Sequence, residues 1–152
     1  VKRAAVLLAA ALAVAPAAAA GDPAALDAGQ PVIGLSLRGA HRAYPLSLFR
    51  ERRVVNDVVG SMEVAVFHDP ERNVSAAWFR TVLGEPIEFS GAAAGTVADD
   101  LTTITRWDLA TGVAVGGNLQ GQRLVALPLT TTSWAGWAAK HPNAGVYEAE
   151  AR

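Results

Sequence analysis

Turn residues recur about every 8–12 positions along this chain, and no run between them leaves room for a long helix. Breaks at Arg38-Gly39, Gly60-Ser61, Asp69-Pro70, Gly112, Gly116-Gly117 and Gly121 separate short apolar or β-branched runs. VIGLSL (32–37), HRAYPL (41–46), VVNDVV (54–59), MEVAVF (62–67) and VSAAWFR (74–80) each read as a strand. PIEFSG (86–91), TTITRWDL (102–109) and RLVALPL (123–129) read the same way. GAAAGTVA (91–98) is left undecided by propensity. Residues 45–52 fit one or two helical turns. Thr132 or Ser133 is placed to cap WAGWAAK (134–140), and Pro142 stops that helix. The expected fold is mainly β, with α+β as the alternative. It is a single compact domain of short antiparallel strands and hairpins with one or two short helices, the last near residues 133–140.

The N-terminal 20 residues break this pattern. Lys2 and Arg3 precede an apolar run that ends in small residues at Ala18-Ala19-Ala20. That layout is a signal peptide cleaved near Ala20, which places the protein in the periplasm or outside the cell. The alternative is a retained anchor, but the run is short of the roughly 20 residues a span needs and carries Pro16. After cleavage no stable membrane span is expected. Residues 21–30 read as a flexible tether, 31–148 as one domain and 149–152 as a tail. Losing Lys2 and Arg3 takes the net charge from −1 to −3, which disfavours a nucleic-acid partner. Arg50, Arg52 and Arg53 cluster, but Glu51 interrupts them. The chain has no cysteine. Disulfides, thiol nucleophiles, thiolate metal sites and iron–sulfur clusters are therefore excluded.

The densest polar stretch is His68-Asp69-Pro70-Glu71-Arg72-Asn73, between two strand-like runs. His, Asp and Glu are suitable ligands for a hard or borderline ion. On a strand, however, His68 and Asp69 would face opposite ways. A hairpin turn explains the same residues, since Pro presets φ and the preceding Asp caps the turn. As an exposed turn, Asp69 and Glu71 should be replaceable with little loss of stability. Asn56-Asp57 interrupts the apolar VVNDVV and is expected to brace the turn that follows. Asp99-Asp100 reads as a solvated loop. Trp78, Trp107, Trp134 and Trp137 are expected in the core, the last two on one helix face. G-x-S-x-G, H-E-x-x-H, P-loop and G-x-G-x-x-G patterns are absent. A Ser90–His141–Asp100 triad can be assembled only at chance level.

Residues 31–147 resemble a bacterial family known as domain of unknown function 3179. PVIGLSLRGAHRAYPLSLF is similar to the family's PVIGV-x-I-x-GEARAYPL, and VVNDVVG to its IVND-x-VGG. Phe89 and Ser90-Gly91 match a Phe-x-x-Ser-Gly strand end. DLTTITRWDLATG aligns with DRxTxSxWSQxTG, bringing Asp100, Thr103, Trp107, Thr111 and Gly112 into register. GNLQGQRLVALP follows GPLxGxxLxxLP, and TSWAGWAAKHPNAGV resembles TTWxEWxxxHPDTxV. The resemblance supplies no activity, cofactor or catalytic residue. Its departures matter more. Many members carry Tyr-Cys-Pro-x-Cys-Gly after the strand that here reads VAVF. Pro70 aligns with that proline, Asp69 and Arg72 with the two cysteines, and Asn73 with the glycine. Arg52 stands where the family has a His, and the gap between Ser90-Gly91 and Asp100 is about two residues short. A thiol-based family function would then be missing from this chain.

The positions singled out on this basis are Arg52, Asn56, Asp57, Asp69, Pro70, Arg72 and Trp107. The favoured function is a non-catalytic binding or scaffold-like module with a degenerate family site. It has no predicted cofactor, and its partner is an unspecified ligand or envelope protein. The rival is a metal-binding protein or metal-assisted hydrolase with oxygen and nitrogen ligands from His68, Asp69 and Glu71.

Overall fold

A computed structural model describes residues 20–21 and 26–148, with the backbone alone at 20, 21 and 92. The expected tail, and the expected signal peptide apart from Ala20, lie outside the described residues. The chain runs through β1 (Ala20–Gly21), β2 (Pro31–Leu37), β3 (Ala40–Pro45), a 3-10 turn (Leu46–Arg50), β4 (Val54–Val59), β5 (Met62–Asp69) and β6 (Val74–Phe79). It continues through β7 (Thr81–Val82), β8 (Glu85–Pro86), β9 (Phe89–Ala94), β10 (Val97–Asp100), β11 (Thr105–Asp108) and β12 (Val113–Gly117). β13 (Val125–Leu127), β14 (Thr130–Ser133), α1 (Trp134–Lys140) and β15 (Gly145–Tyr147) complete it. The mainly β expectation holds.

β5 shows how the layers stack. Its residues from Val64 to Asp69 are all buried. A strand buried on both faces loses the apolar–polar alternation, which is why VAVF reads as a continuous apolar run. Val64 and Val66 join Ile33, Leu35, Tyr44 and Phe49 in one cluster. Ala65 and Phe67 join Phe89, Ala98, Trp107 and Ala114 in another. The sheet β13-β6-β5-β4 therefore lies between the sheet β1-β15-β3-β2-β14 and the sheet β12-β11-β10-β9. Pairing is antiparallel apart from β15 on β3. α1 forms a fourth layer. Trp134 and Trp137 pack with Val32, Ala43 and Val146 on the outer face of the first sheet.

All four tryptophans are buried, as expected. Each buried aromatic contributes roughly 1.5–3 kcal/mol relative to exposure. Gly34 makes the α1 contact possible, because a Cβ there would stand 2.3 Å from the Trp137 ring. Ser133 caps α1 by accepting the Gly136 N–H at 3.1 Å. The tether expected over 21–30 is tied to the fold at its far end. Gln30 and Ala28 carbonyls accept the Trp134 and Ala135 N–H groups at 2.8 and 2.9 Å. Those are first-turn donors that a helix cannot satisfy internally. Residues 91–98, which propensity does not decide, lie in the β9–β10 hairpin. TTITRWDL begins not as strand but as the turn Leu101–Ile104 that precedes β11.

Candidate functional site

HDPERN is the end of β5 and its turn into β6, as the turn reading expects. The alternation of β5 sends His68 and Asp69 to opposite layers. His68 faces the first sheet, with its Nδ1 2.8 Å from Ser75 Oγ and its ring edge-on to Phe49 at 5.6 Å. Burial pushes its pKa below the ordinary histidine value, which favours the neutral ring.

Asp69 faces the third sheet and corrects the expectation of an exposed turn residue, because its side chain is fully buried. Four donors surround the carboxylate. Arg53 Nη1 lies at 2.5 Å and Arg72 Nη1 at 2.7 Å. The backbone N–H groups of Glu71 and Arg72 lie at 3.0 and 3.4 Å. The Arg72 hydrogen bond, the two backbone N–H groups and the Arg53 charge hold its pKa at about 2, against the opposing effect of burial. Three of these donors meet Oδ1, and Arg72 Nη1 meets Oδ2. The Glu71 side chain is exposed and pairs with Arg53 at 3.3 Å. Asn73 closes the turn in the left-handed region, with φ 52°. Pro70 is exposed.

Asn56 and Asp57 also part across β4. The Asn56 amide donates to the Phe89 carbonyl at 2.8 Å and accepts the Phe89 N–H at 3.0 Å. It thus copies a backbone bridge and, with the bond from Arg53 N–H to the Gly91 carbonyl at 3.0 Å, joins β9 to β4. Only Asp57 braces the chain locally, accepting the Val58 N–H at 2.8 Å. Its other oxygen accepts the Tyr44 hydroxyl at 2.8 Å and sits 3.6 Å from Arg42 Nε. Burial and the Asp57 charge raise the Tyr44 pKa well above its usual value, so the hydroxyl stays a donor. Arg52 is half-buried with its Cβ beside Gly91.

Trp107 is fully buried, and its Nε1–H donates to Asp100 Oδ2 at 2.7 Å. Asp100 is itself buried, which corrects the solvated-loop expectation. Asp99 alone is exposed, paired with Arg106. Asp100 also accepts the N–H groups of Thr102 and Thr103 and the Thr103 hydroxyl. Arg80 escaped sequence reasoning. It donates to the carbonyls of Val64, Ile87 and Asp57 and pairs with Glu63. Its acceptors are backbone atoms scattered along the chain, so no motif marks it.

The singled-out positions therefore do not line one cleft. Asn56, Asp69 and Trp107 meet the core between the second and third sheets, while Asp57 and His68 face the first. His68, Asp69 and Glu71 are not brought together. Among the described residues no group of three His, Asp or Glu is placed to hold a metal ion. His141 stacks on His41 at 4.1 Å and lies 4.2 Å from Trp137, layers away from Asp100. Among the described residues no helix is long and apolar enough to cross a membrane.

A family model described as a protein of unknown function, DUF3179, matches residues 12–152. The chain belongs to the DUF3179 family. No curated protein and no solved structure matched it. The DUF3179 match spans all the layers described above, so the family pattern belongs to the whole fold and not to one loop.

Proposed function

We propose that this DUF3179 member is an exported, non-catalytic binding or scaffold module whose family site is degenerate. The pairing of Asp69 with two guanidiniums supports this reading most directly. Arg53 and two backbone N–H groups donate to Oδ1, and Arg72 donates to Oδ2. Two paired guanidiniums neutralise this carboxylate and oppose a cation beside it, and a pKa of about 2 makes it a poor general acid or base near neutrality. In the family resemblance Asp69 and Arg72 stand where relatives carry two cysteines. Here the two side chains join in an ion pair at 2.7 Å, so charge closes the turn in place of sulfur. His68 and Asp57 point into another layer and cannot complete a centre with Asp69.

Metal analysis of the mature protein, with melts in the presence and absence of a chelator, tests this. The expected result is no stoichiometric metal and no chelator-dependent shift in melting temperature. A bound metal whose removal lowers the melting temperature would overturn the reading in favour of an oxygen- and nitrogen-ligand ion site.

A further inference from the structure

The outer face of the β9–β12 sheet has what the buried clusters lack, open space beside unlike side chains. A groove of about 370 Å³ runs there, lined by Asp99, Leu101, Ile104, Arg106, Gly116 and Gly117 among others. Small-molecule sites typically span roughly 300–1,000 Å³. Leu101 and Ile104 stand 60% and 68% exposed at its rim. Ile104 has φ 56°, a conformation that β-branched residues avoid. The turn is over-determined from beneath. Asp100 fixes the Thr102 and Thr103 N–H groups, and Asn118 Nδ2 donates to the Thr103 carbonyl at 2.9 Å. A strained residue fixed in this way with its apolar side chain outward points to a presented surface.

The floor is bare backbone. Gly117 has φ 89°, and a Cβ there would stand 2.4 Å from the Ile104 carbonyl oxygen. Gly116 pairs with Arg106 across the strands. Arg106 directs Nε and Nη2 at Asp99, at 2.9 and 3.4 Å. Its guanidinium is thereby fixed as a charge-neutralised plate beside an apolar rim. Such a plate stacks on aromatic faces and gives little preference for a free anion. Two exposed apolar side chains fall far short of the roughly 800 Å² per partner of a stable protein interface.

Resting on the reading of the chain as a binding module, we propose that this groove takes a small planar aromatic molecule. The ring lies on the Arg106 guanidinium, against Leu101 and Ile104. Phenol and cyclohexanol, alike in size and hydroxyl but not in aromaticity, are suitable probes for titration into the ¹⁵N-labelled mature protein. Phenol should shift the Leu101, Ile104, Arg106 and Gly116 amides saturably. Cyclohexanol should bind about two- to five-fold more weakly, as should phenol to Arg106→Lys. Gly116→Val, whose Cβ has ordinary contacts, should fill the floor and abolish the shifts without lowering the melting temperature. Absent or non-saturable shifts, equal affinity for both probes, or shifts unchanged in Gly116→Val would overturn the groove. So would the same amides shifting with protein concentration alone, which would mean that copies of the chain dock there. Each such failure leaves the chelator result standing, so the two readings fail separately.

Discussion

Asp69 closes β5 and Asp100 closes β10, and in both turns the carboxylate accepts the N–H groups two and three residues ahead. Both side chains are buried, and both strands turn back as hairpins. The partners of the remaining acceptor positions differ. Asp69 receives two guanidiniums, and Arg72 among them stays 55% exposed. Asp100 receives the Thr103 hydroxyl and the Trp107 indole N–H, and Thr103 accepts in turn from Thr105. One carboxylate is neutralised by charge near the surface. The other is held by neutral donors rooted in the core. Burial and backbone capping recur where no chemistry is in question, so neither feature marks Asp69 as a reactive site. What sets Asp69 apart is its pair of cations, and these immobilise it.

The contrast breaks most visibly if the core carboxylate is removed. Asp100→Ala would leave the buried Trp107 N–H, the half-buried Thr103 hydroxyl and two turn N–H groups without this acceptor. Each buried unsatisfied donor costs about 1–3 kcal/mol, so a loss of about 3–5 kcal/mol is expected in urea unfolding. Asp69→Ala should cost less, because Arg53 and Arg72 sit near solvent and can turn to water. The opposite order would mean that Asp69 anchors more than its turn.

Acid separates the two turns further. The Asp69 pKa is held at about 2, below its unfolded value, so the anion stabilises the fold above about pH 4. That stabilisation is lost as pH falls through the folded value. Wild type should therefore exceed Asp69→Asn in stability at neutral pH, with the gap closing between about pH 4 and pH 2. Burial lowers the His68 pKa below its ordinary value. The Asp69 charge opposes that lowering, so His68 is lowered further in Asp69→Asn, and the gap first widens below about pH 6.5 before it closes as Asp69 is protonated. A gap that persists to pH 2 would show that packing of the Asp69 side chain, and not its charge, is what counts.

Much of the fold could be read before any coordinates, and β5 shows why the site could not. Runs such as VVNDVV and VAVF carry the strand signal in their own composition, and Ser133 and Pro142 bracket α1. The TTTS stretch of β14 has no apolar alternation, yet it pairs with β2 at the edge of the first sheet. The solvation of an Asp is not local information. Asp99 and Asp100 are neighbours of the same type, yet strand alternation exposes one and buries the other. The bond from Asn56 to Phe89 spans 33 residues, and the three carbonyls held by Arg80 come from three different strands or loops. These links exist only once the sheets have stacked, so no spacing rule anticipates them.

The smallest effect is expected at Glu71, and it bears most directly on the rival ion-site reading. The turn uses the Glu71 backbone N–H, which Asp69 accepts, while the Glu71 side chain is 73% exposed and meets Arg53 at 3.3 Å. An exposed ion pair of this kind contributes little and weakens with salt. Glu71→Ala keeps the N–H and should change stability by no more than about 0.5 kcal/mol, with the difference vanishing as salt is raised. Denaturant unfolding at two ionic strengths measures both. A loss well above that limit, insensitive to salt, would mean that the Glu71 carboxylate has a partner deeper than Arg53. The turn at Asp69 would then differ from the turn at Asp100 in function as well as in charge.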